Sequence, residues 1–380
     1  MKSIALRWIS AVLLLTMVAL CFAACGSDSG KSTWKIGATG PLTGDASSYG
    51  NSVKNGAELA IEEINKAGGL AGFDFSFDMK DDRATPGDAG SGYDALYEAG
   101  MQASLGSVTS GSCQAFGTKA AKDNLFFITP SASAQNVIET GTNAFRICFG
   151  DPDQGTLAAD QIKVDNYQKV GCIYDTSDPY SSGIFDAFKA EMDKLGIPFQ
   201  SMGFDSENNK DFSTQVESLK ECDVIFCPFY YTEASLVAKT CVSKGVDAVL
   251  FGCDGFDGIA DMFTEADNIT NKILYITPFD ANSTEAKSAA FVAAYKAKYN
   301  AVPDQFAADG YDAVYVIYTA MKQAGVKDVK ISASDLCEAI KGVILDASFS
   351  YAGVTGTMKW NASGACTKTP IIVEYSKTAK

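Results

Sequence analysis

Apolar and polar positions alternate with two different periods after Trp34, and these periods predict a series of strands and helices. The largely apolar run Trp34–Ala38 is typical of a strand buried on both faces. From Val53 to Ile64 apolar residues recur at the spacing of one helix face, and Gly68 and Gly69 follow as a helix end. The chain therefore opens with a strand, a polar loop and a helix, as an α/β domain does.

The same two periods continue to the C-terminus and predict an α/β fold. Most predicted strands are near-continuous apolar runs, typical of parallel sheets covered on both faces, and a hairpin is predicted around residues 361–364. The predicted strands are 34–39, 73–79, 101–106, 125–129, 170–175, 198–204, 223–229, 248–253 and 272–278. The predicted helices are 52–66, 86–99, 112–123, 153–166, 182–195, 212–221, 232–244, 285–299, 306–324 and 333–342.

The N-terminal residues have the pattern of a targeting segment. Residues 1–24 combine a basic start with an apolar run that is short for a membrane span, which predicts a signal peptide. Phe22–Cys25 resembles a lipidation motif, with small residues before a cysteine and Phe22 where Leu is usual. We predict a lipid on Cys25 and a polar tether over 25–33. An ordinary cleaved signal, with an incidental Cys25, is the alternative.

Composition excludes several classes of function. The formal net charge of −15 argues against binding to nucleic acid or to an anionic membrane surface, so we expect membrane attachment only through the lipid. The chain has no His, which excludes His-based acid–base catalysis and most zinc sites; no metal and no cofactor is expected. Of eleven cysteines, Cys21 leaves with the signal peptide and Cys25 carries lipid. Buried free thiols are favoured for the rest, and Cys337–Cys366 is the first pair to test.

One long stretch carries a family resemblance. Residues 40–69, GPLTGDASSYGNSVKNGAELAIEEINKAGG, resemble the first strand–loop–helix unit of type I periplasmic binding proteins, in the branched-chain amino acid branch that serves ABC importers. The resemblance extends over nearly all of the chain after Trp34. It implies two Rossmann-like lobes joined by three crossings that form a hinge, near 147–152, 278–281 and 348–353. The implied lobes are 34–148 plus 280–350 and 149–279 plus 351–380.

The resemblance also implies a site for the head group of an amino acid, which needs neutral donors for its carboxylate and acceptors for its ammonium. Ser110 matches the family's carboxylate-binding serine, at a predicted helix start that offers backbone N–H groups. A plain helix cap is the alternative for Ser110. Ala132 and Ser133 match a loop that gives a carbonyl and a hydroxyl, with a slip to Ser131 left open.

The second lobe supplies the other half of the expected site. Asp254, in the loop GCDGFDG, matches the family's ammonium-binding carboxylate, and a helix-capping Asp is the alternative. Tyr49, Tyr180 and Tyr230 match loops whose aromatic rings close the family's cleft, and Phe306 is a further candidate for the side-chain pocket.

The expected function is extracytoplasmic solute binding by a lipid-anchored monomer. It would bind a free amino acid, branched-chain or otherwise apolar, and deliver it to an ABC permease without chemistry on the ligand. Three alternatives stay open: a sensor subunit of the same fold, a receptor for an amide or aromatic acid, and a hydrolase that uses Asp81, Asp82 or Asp254.

Overall fold

The structure is a computed structural model that describes residues 32–375. The predicted signal peptide, Cys25 and the tether up to residue 31 lie outside these residues. Strands and helices alternate through residues 32–375, as the α/β prediction requires. No helix in this range is long and apolar enough to cross a membrane.

Strands and helices of the described residues are numbered in chain order. The strands are β1 (Trp34–Gly40), β2 (Phe75–Asp81), β3 (Ala103–Ser104), β4 (Phe127–Thr129), β5 (Ala144–Arg146), β6 (Val170–Asp175), β7 (Phe199–Phe204), β8 (Val224–Cys227), β9 (Val249–Gly252), β10 (Ile273–Thr277), β11 (Tyr351–Gly353), β12 (Gly356–Trp360), β13 (Cys366–Thr367) and β14 (Ile371–Glu374). The helices are α1 (Ser47–Lys66), α2 (Pro86–Glu98), α3 (Ser110–Asp123), α4 (Gln135–Ile138), α5 (Asp151–Val164), α6 (Pro179–Leu195), α7 (Ser213–Ser218), α8 (Tyr231–Lys244), α9 (Ala286–Tyr299), α10 (Gln305–Gln323) and α11 (Ala333–Ile344). Short 3-10 helices lie at Asp254–Phe256, Ile259–Met262 and Glu265–Asp267.

Two sheets organise the fold. The first is parallel, in the order β2-β1-β3-β4-β5, and Ile36 of β1 pairs with Phe77 on one side and Ala103 on the other. The second has the order β14-β10-β9-β8-β6-β7, with β14 antiparallel to β10 and the other neighbours parallel. Strand order reverses at β1 in one sheet and at β6 in the other. In open α/β sheets such reversals leave a crevice at the carboxyl ends of the strands, where ligands bind.

Helices α1 and α10 pack backbone to backbone beside the first sheet. A Cβ atom on Gly56 would lie 1.9 Å from the carbonyl oxygen of Ala307, so only glycine fits that position. Gly310 lies equally close to α1, since a Cβ there would be 2.6 Å from the oxygen of Val53. The close approach brings Phe306, near the start of α10, to Tyr49, near the start of α1, with ring centroids 4.3 Å apart.

The C-terminal segment forms a small sheet of its own before it reaches the second sheet. Strands β11, β12 and β13 form an antiparallel sheet, which confirms the predicted hairpin. This small sheet is bonded to the end of β5: Trp360 Nε1 donates to the oxygen of Arg146 at 2.8 Å, and Arg146 N donates to the oxygen of Gly364 at 3.1 Å. The chain then joins the second sheet at β14.

Several helices begin earlier than the apolar pattern predicts. Three of them bear predicted site residues: α1, predicted from residue 52, α3, predicted from residue 112, and α6, predicted from residue 182. Tyr49 and Tyr180, which were expected in loops, each lie in the first turn of a helix, and Ser110 is the first residue of α3.

Other local differences have simple causes. β2 begins at Phe75 rather than at residue 73, because Phe73 closes a tight turn with Leu70, in which each backbone N–H donates to the other residue's carbonyl. The sequence reading missed β5 and α4, which have only three and four residues. Elements this short carry too few positions to show a period.

All nine cysteines in the described residues are free thiols, and eight of them are buried. Cys337 lies on α11, where its sulfur contacts Asn124 Oδ1 at 3.6 Å, and Cys366 lies on β13. The candidate Cys337–Cys366 disulfide is not formed. Burial raises the pKa of both thiols to about 12, as expected for cysteines that act as small apolar side chains.

Candidate functional site

Five of the predicted site residues line one small cavity of about 20 Å³. These residues are Tyr49, Ser110, Tyr180, Tyr230 and Asp254. The rest of the wall is formed by Val108, Thr109, Ser131, Gly255 and Phe306. The wall segments follow β1, β3 and β4 of the first sheet and β6, β8 and β9 of the second. The cavity therefore lies at the carboxyl ends of both sheets, where the topology predicts a ligand.

The first-sheet side of the cavity is the N-terminus of α3. Ser110 is the first residue of α3, and its hydroxyl oxygen accepts a hydrogen bond from Ala134 N at 3.2 Å. Thr109, the N-cap, makes no side-chain capping bond, and the buried hydroxyls of Thr109 and Ser112 have no hydrogen-bond partner. A helix N-terminus has unsatisfied N–H groups and a partial positive charge, so this side fits an anion such as a carboxylate.

The second-sheet side presents the carboxylate of Asp254, which is 4% exposed. Tyr180 Oη donates to Asp254 Oδ1 at 2.6 Å, and Gly255 N donates to Tyr180 Oη at 3.0 Å. Burial raises the pKa of Asp254 to about 6, hydrogen bonds from Tyr180 and Gln154 oppose that shift, and no cation is among the main contributions. A buried carboxylate without a cation is stabilised when a positive group binds beside it.

Aromatic rings form most of the remaining wall. The rings of Tyr180 and Tyr230 are stacked, with centroids 5.0 Å apart and planes 9° apart. Tyr49 meets Tyr230 edge-on at 5.7 Å and Tyr231 at 4.9 Å. Together with Phe306 these rings make an apolar surface beside the polar groups, which suits an apolar side chain.

Hydrogen bonds also join the two sides of the cavity directly. Tyr49 Oη donates to the oxygen of Gly255 and accepts from Tyr231 N at 3.1 Å. Near the rim, Asp45 pairs with Lys210, with 2.8 Å between their side-chain atoms. A water molecule needs about 10–15 Å³ of such space, so the cavity has room for about one water. The structure thus shows the two walls in contact.

Two predicted residues are not in the cavity wall. Ala132 packs in the apolar cluster around Phe127, and its N–H donates to Thr129 Oγ1 at 3.0 Å. Ser133 is fully buried, and its hydroxyl lies beside the Asp151 carboxylate. Ser131, in the same loop, does line the cavity.

Sequence reasoning missed several polar residues around Asp254. Gln154, on α5, accepts a hydrogen bond from Asp254 N through its Oε1 at 3.0 Å. Gln305, at the start of α10, donates from Nε2 to the oxygen of Asp254 at 2.8 Å and from its backbone N to Asp257 Oδ2 at 3.1 Å. Neither glutamine belongs to a motif, and only the fold brings them here.

The carboxylates of the hydrolase alternative have structural roles outside the cavity. Asp81 accepts from Leu42 N at 2.9 Å and from the Thr43 hydroxyl at 2.6 Å, which orders the loop after β1. Asp82 is buried and accepts from the Ser107 hydroxyl and from Ala84 N. Asp81 and Asp82 are therefore not placed to act together with Asp254.

Comparison with known proteins agrees with this geometry. Residues 33–369 match the family described as periplasmic binding protein. The Leu/Ile/Val-binding protein BraC3 of Rhizobium johnstonii is 30% identical over 76% of this chain and 79% of its own length. The branched-chain amino acid transporter substrate-binding protein LivJ of Streptococcus pneumoniae, solved with isoleucine, is 27% identical and superposes with a TM-score of 0.79 over 90% of this chain and 95% of its own.

A more distant structure shares the fold alone. The solute-binding protein of an ABC transporter from R. palustris, solved with benzoate, is 22% identical and has a TM-score of 0.78, over 90% of this chain and 92% of its own. The family match covers most of the chain, and the fold, the cavity's position and the amino acid-binding relatives agree with it. The chain belongs to the type I periplasmic binding proteins, in their branched-chain amino acid branch.

Proposed function

We propose that this protein is the extracytoplasmic substrate-binding component of an ABC importer, which binds one free amino acid with an apolar side chain and delivers it to a permease. The observation that carries the proposal is the opposite polarity of the two cavity walls. The N-terminus of α3 with its hydroxyls faces one side, and the Asp254 carboxylate faces the other. A free amino acid carries the complementary carboxylate and ammonium a few ångströms apart.

The walls suggest one orientation for the ligand. Its carboxylate would accept from Ser110 and from the first N–H groups of α3, while its ammonium would donate to Asp254. Its apolar side chain would pack against Tyr49 and Phe306. Ser131, rather than Ala132, is placed to complete the head-group site. The relatives described as binding Leu, Ile and Val, or solved with isoleucine, support this ligand class.

The site favours binding over catalysis. Apart from Asp254, its wall consists of aromatic rings, hydroxyls, small residues and backbone, and the chain has no His to move protons at neutral pH. We therefore propose that no reaction occurs on the ligand and that the protein acts as a monomer.

Thermal unfolding against a panel of ligands tests this function. Any ligand that binds only the folded state raises the melting temperature by mass action. We expect the largest shifts from L-leucine, L-isoleucine or L-valine. A shift produced only by benzoate or by amides would favour the aromatic acid or amide alternative. The sensor alternative predicts the same shifts, so it is decided by whether permease and ATPase genes adjoin the gene for this protein.

Ligand entry requires the walls to separate. Pockets for small ligands typically measure about 300–1,000 Å³, far more than the present cavity of about 20 Å³. We propose that the lobes open about the crossings and that an amino acid closes them again through contacts made only in the closed form.

We expect small-angle scattering to show this closure as a smaller radius of gyration with saturating L-leucine than without it. Tyr49→Ala is the reference for an open form, because it removes hydrogen bonds that join the two walls. If the wild type already has the smaller radius when empty, it will differ from Tyr49→Ala without ligand. Equal radii in all three samples would contradict the proposed motion.

We propose that a lipid on Cys25 holds the protein at the outer face of the membrane. Cys25→Ala should move it from the membrane fraction to the soluble or secreted fraction, because its polar tether has no other anchor. Immunoblots of separated fractions measure the change, and Cys113→Ala, which alters a buried thiol, is the control. A Cys25→Ala protein that stays in the membrane fraction contradicts the anchor.

A further inference from the structure

Gln305 is a buried polar residue whose hydrogen bonds cross between the two walls of the cavity. It is the first residue of α10, which packs against α1 beside the first sheet, and it is 2% exposed. Two of its hydrogen bonds lead to the loop after β9 of the second sheet. Its Nε2 donates to the oxygen of Asp254 at 2.8 Å, and its backbone N donates to Asp257 Oδ2 at 3.1 Å. Gln305 thus joins the two walls at the residue proposed to bind the ammonium.

The loop that carries Asp254 has little regular structure of its own. Residues 254–256 form a single 3-10 turn. Phe256 N donates to the oxygen of Cys253 at 3.0 Å. Asp257 N donates to the oxygen of Asp254 at 3.1 Å. Short 3-10 turns have weak internal hydrogen bonds, so the position of this one depends on the side chains around it.

Two glutamines hold the backbone of Asp254, one from each wall. Gln154 accepts from Asp254 N through Oε1 at 3.0 Å, and its helix α5 packs in one apolar cluster with β6, β8 and β9. Tyr180, which donates to the Asp254 carboxylate, is on α6 in the same cluster. Gln305 alone of these three belongs to the first-sheet side. In the proposed open form, Asp254 therefore keeps its bonds to Gln154 and Tyr180 and loses the bond to Gln305.

The start of α10 is arranged to receive this loop. The first N–H groups of a helix have no partner within the helix. Asp304, the N-cap, accepts from Ala307 N at 2.8 Å, and the N–H of Gln305 is bonded by Asp257 from the other wall. The side chain and the backbone of Gln305 therefore hold both ends of the segment 254–257.

We propose that Gln305 is a positioning residue for ligand binding, which fixes the backbone of Asp254 when the walls close and so sets its carboxylate against the ligand's ammonium. The inference rests on the proposed function. The bond from Gln305 forms only after the ligand has entered, so it acts on the release of the ligand and not on its capture. The open site stays accessible, and the closed site holds the ligand longer.

The test compares Gln305→Met with Gln323→Met, the same change at the exposed last residue of α10. Met fills a similar volume but cannot donate to Asp254. Stopped-flow intrinsic fluorescence of the mature protein with L-leucine gives both rate constants. In Gln305→Met the release rate constant should rise about three- to tenfold, the usual effect of one lost hydrogen bond, with the association rate constant within about twofold of the wild type. Gln323→Met should change neither.

Two further variants show whether Gln305 acts through Asp254. Gln305→Asn keeps the amide but is one methylene too short to reach the oxygen of Asp254, so it should release L-leucine as fast as Gln305→Met does. In an Asp254→Asn protein, Gln305→Met should accelerate release less than it does in the wild type, because the side chain that it positions no longer carries a charge. The empty Gln305 variants should melt within a few degrees of the wild type.

Three results would overturn the inference and leave the proposed function standing. Wild-type release from both Gln305 variants would mean that the bond to Asp254 does not stabilise the closed site. Slower association together with a much lower melting temperature would mean that Gln305 supports the empty fold. An effect of Gln305→Met that is equal with and without the Asp254 charge would make it only a contact between the walls. A wild type that binds none of the common amino acids would instead refute the proposed function, and this inference with it.

Discussion

Asp254→Ala should lower the affinity for L-leucine by about 30- to 3,000-fold. Loss of one partner from a buried charge pair costs about 2–5 kcal/mol, and each 1.4 kcal/mol is a tenfold change in affinity. Asp254 is the only carboxylate among the residues that line the cavity, and no cation is among the main contributions to its pKa. The ligand's ammonium would thus lose its principal partner. Isothermal titration calorimetry measures the change.

The same substitution should leave the empty protein folded. Burial raises the pKa of Asp254 to about 6, so the fold disfavours its charge, and removing that charge should shift the melting temperature by only a few degrees. Asp254→Asn should have an intermediate affinity, because it keeps an acceptor for Tyr180. The control is Asp261→Ala at an exposed position nearby. Wild-type affinity in Asp254→Ala would mean that Asp254 only caps its short helix, and the ligand would then be one without an ammonium.

Lys368→Met should destabilise the fold by about 3–5 kcal/mol, the usual consequence of leaving one charge of a buried pair alone. The side chains of Lys368 and Asp309 are 1% and 2% exposed and form a direct ion pair where the small C-terminal sheet meets α10. Asp312, on the same helix, accepts from the Thr355 hydroxyl at 2.6 Å, and the charge of Lys368 also lowers its pKa. Urea unfolding measures the loss, and Lys359→Met, at an exposed position, is the control.

The loss in Lys368→Met should depend on pH. Burial raises the pKa of Asp309 to about 7 against the opposing attraction of Lys368, so removing Lys368 raises it further. The folded state then binds a proton that the unfolded state, with a carboxyl pKa of about 4, releases. Both proteins lose stability as pH rises from about 4 to about 7, but only the variant continues to lose it above pH 7, where the wild-type Asp309 is already charged. The difference in stability between variant and wild type should therefore be smallest near pH 5 and largest near pH 8.

A second substitution tests whether the unpaired charge of Asp309 causes the loss of stability in Lys368→Met. Lys368→Met with Asp309→Asn should recover much of the lost stability and most of its pH dependence, because the charge of Asp309 is then removed together with that of Lys368. A loss that is equal at both pH values and unchanged in the double variant would mean that the Lys368 side chain matters only for packing.

The alternating strands and helices were predictable because each buried element repeats a simple period over enough residues. The apolar pattern did not predict the first turns of α1, α3 and α6. Tyr49, Ser110 and Tyr180 lie in those turns and line the cavity, and Tyr49 and Tyr180 also pack in the buried apolar clusters. Polar residues surround them in the sequence, so the apolar pattern alone places each helix start too late.

Five of the seven predicted site residues line the cavity. The family resemblance identifies the loops that form a site, but it does not specify which side chains in each loop reach the wall. The resemblance does not distinguish Ser131 from Ala132. Adjacent side chains in an extended loop point to opposite sides, so Ser131 lines the cavity while Ala132 packs in the apolar cluster around Phe127. Gln154 and Gln305 belong to no sequence motif, and only the folded chain brings them to Asp254.

The contacts of the C-terminal hairpin also could not be predicted from the sequence. The apolar pattern finds the C-terminal hairpin, but it does not show which sheet the hairpin joins. That choice depends on long-range bonds, such as those from Trp360 to Arg146 and from Lys368 to Asp309. Such bonds join residues far apart in sequence, and the local pattern of apolar residues does not predict them.

In the proposed function, one cavity binds both the carboxylate and the ammonium of a free amino acid. Calorimetric titration of the mature protein with L-leucine and with 4-methylpentanoate, its analogue without the amino group, tests that claim most directly. We predict one bound L-leucine per chain and an affinity for 4-methylpentanoate at least about 30-fold lower, since the Asp254 carboxylate would then face no ammonium. Equal affinity for the two compounds, or binding of 4-methylpentanoate alone, would contradict the account.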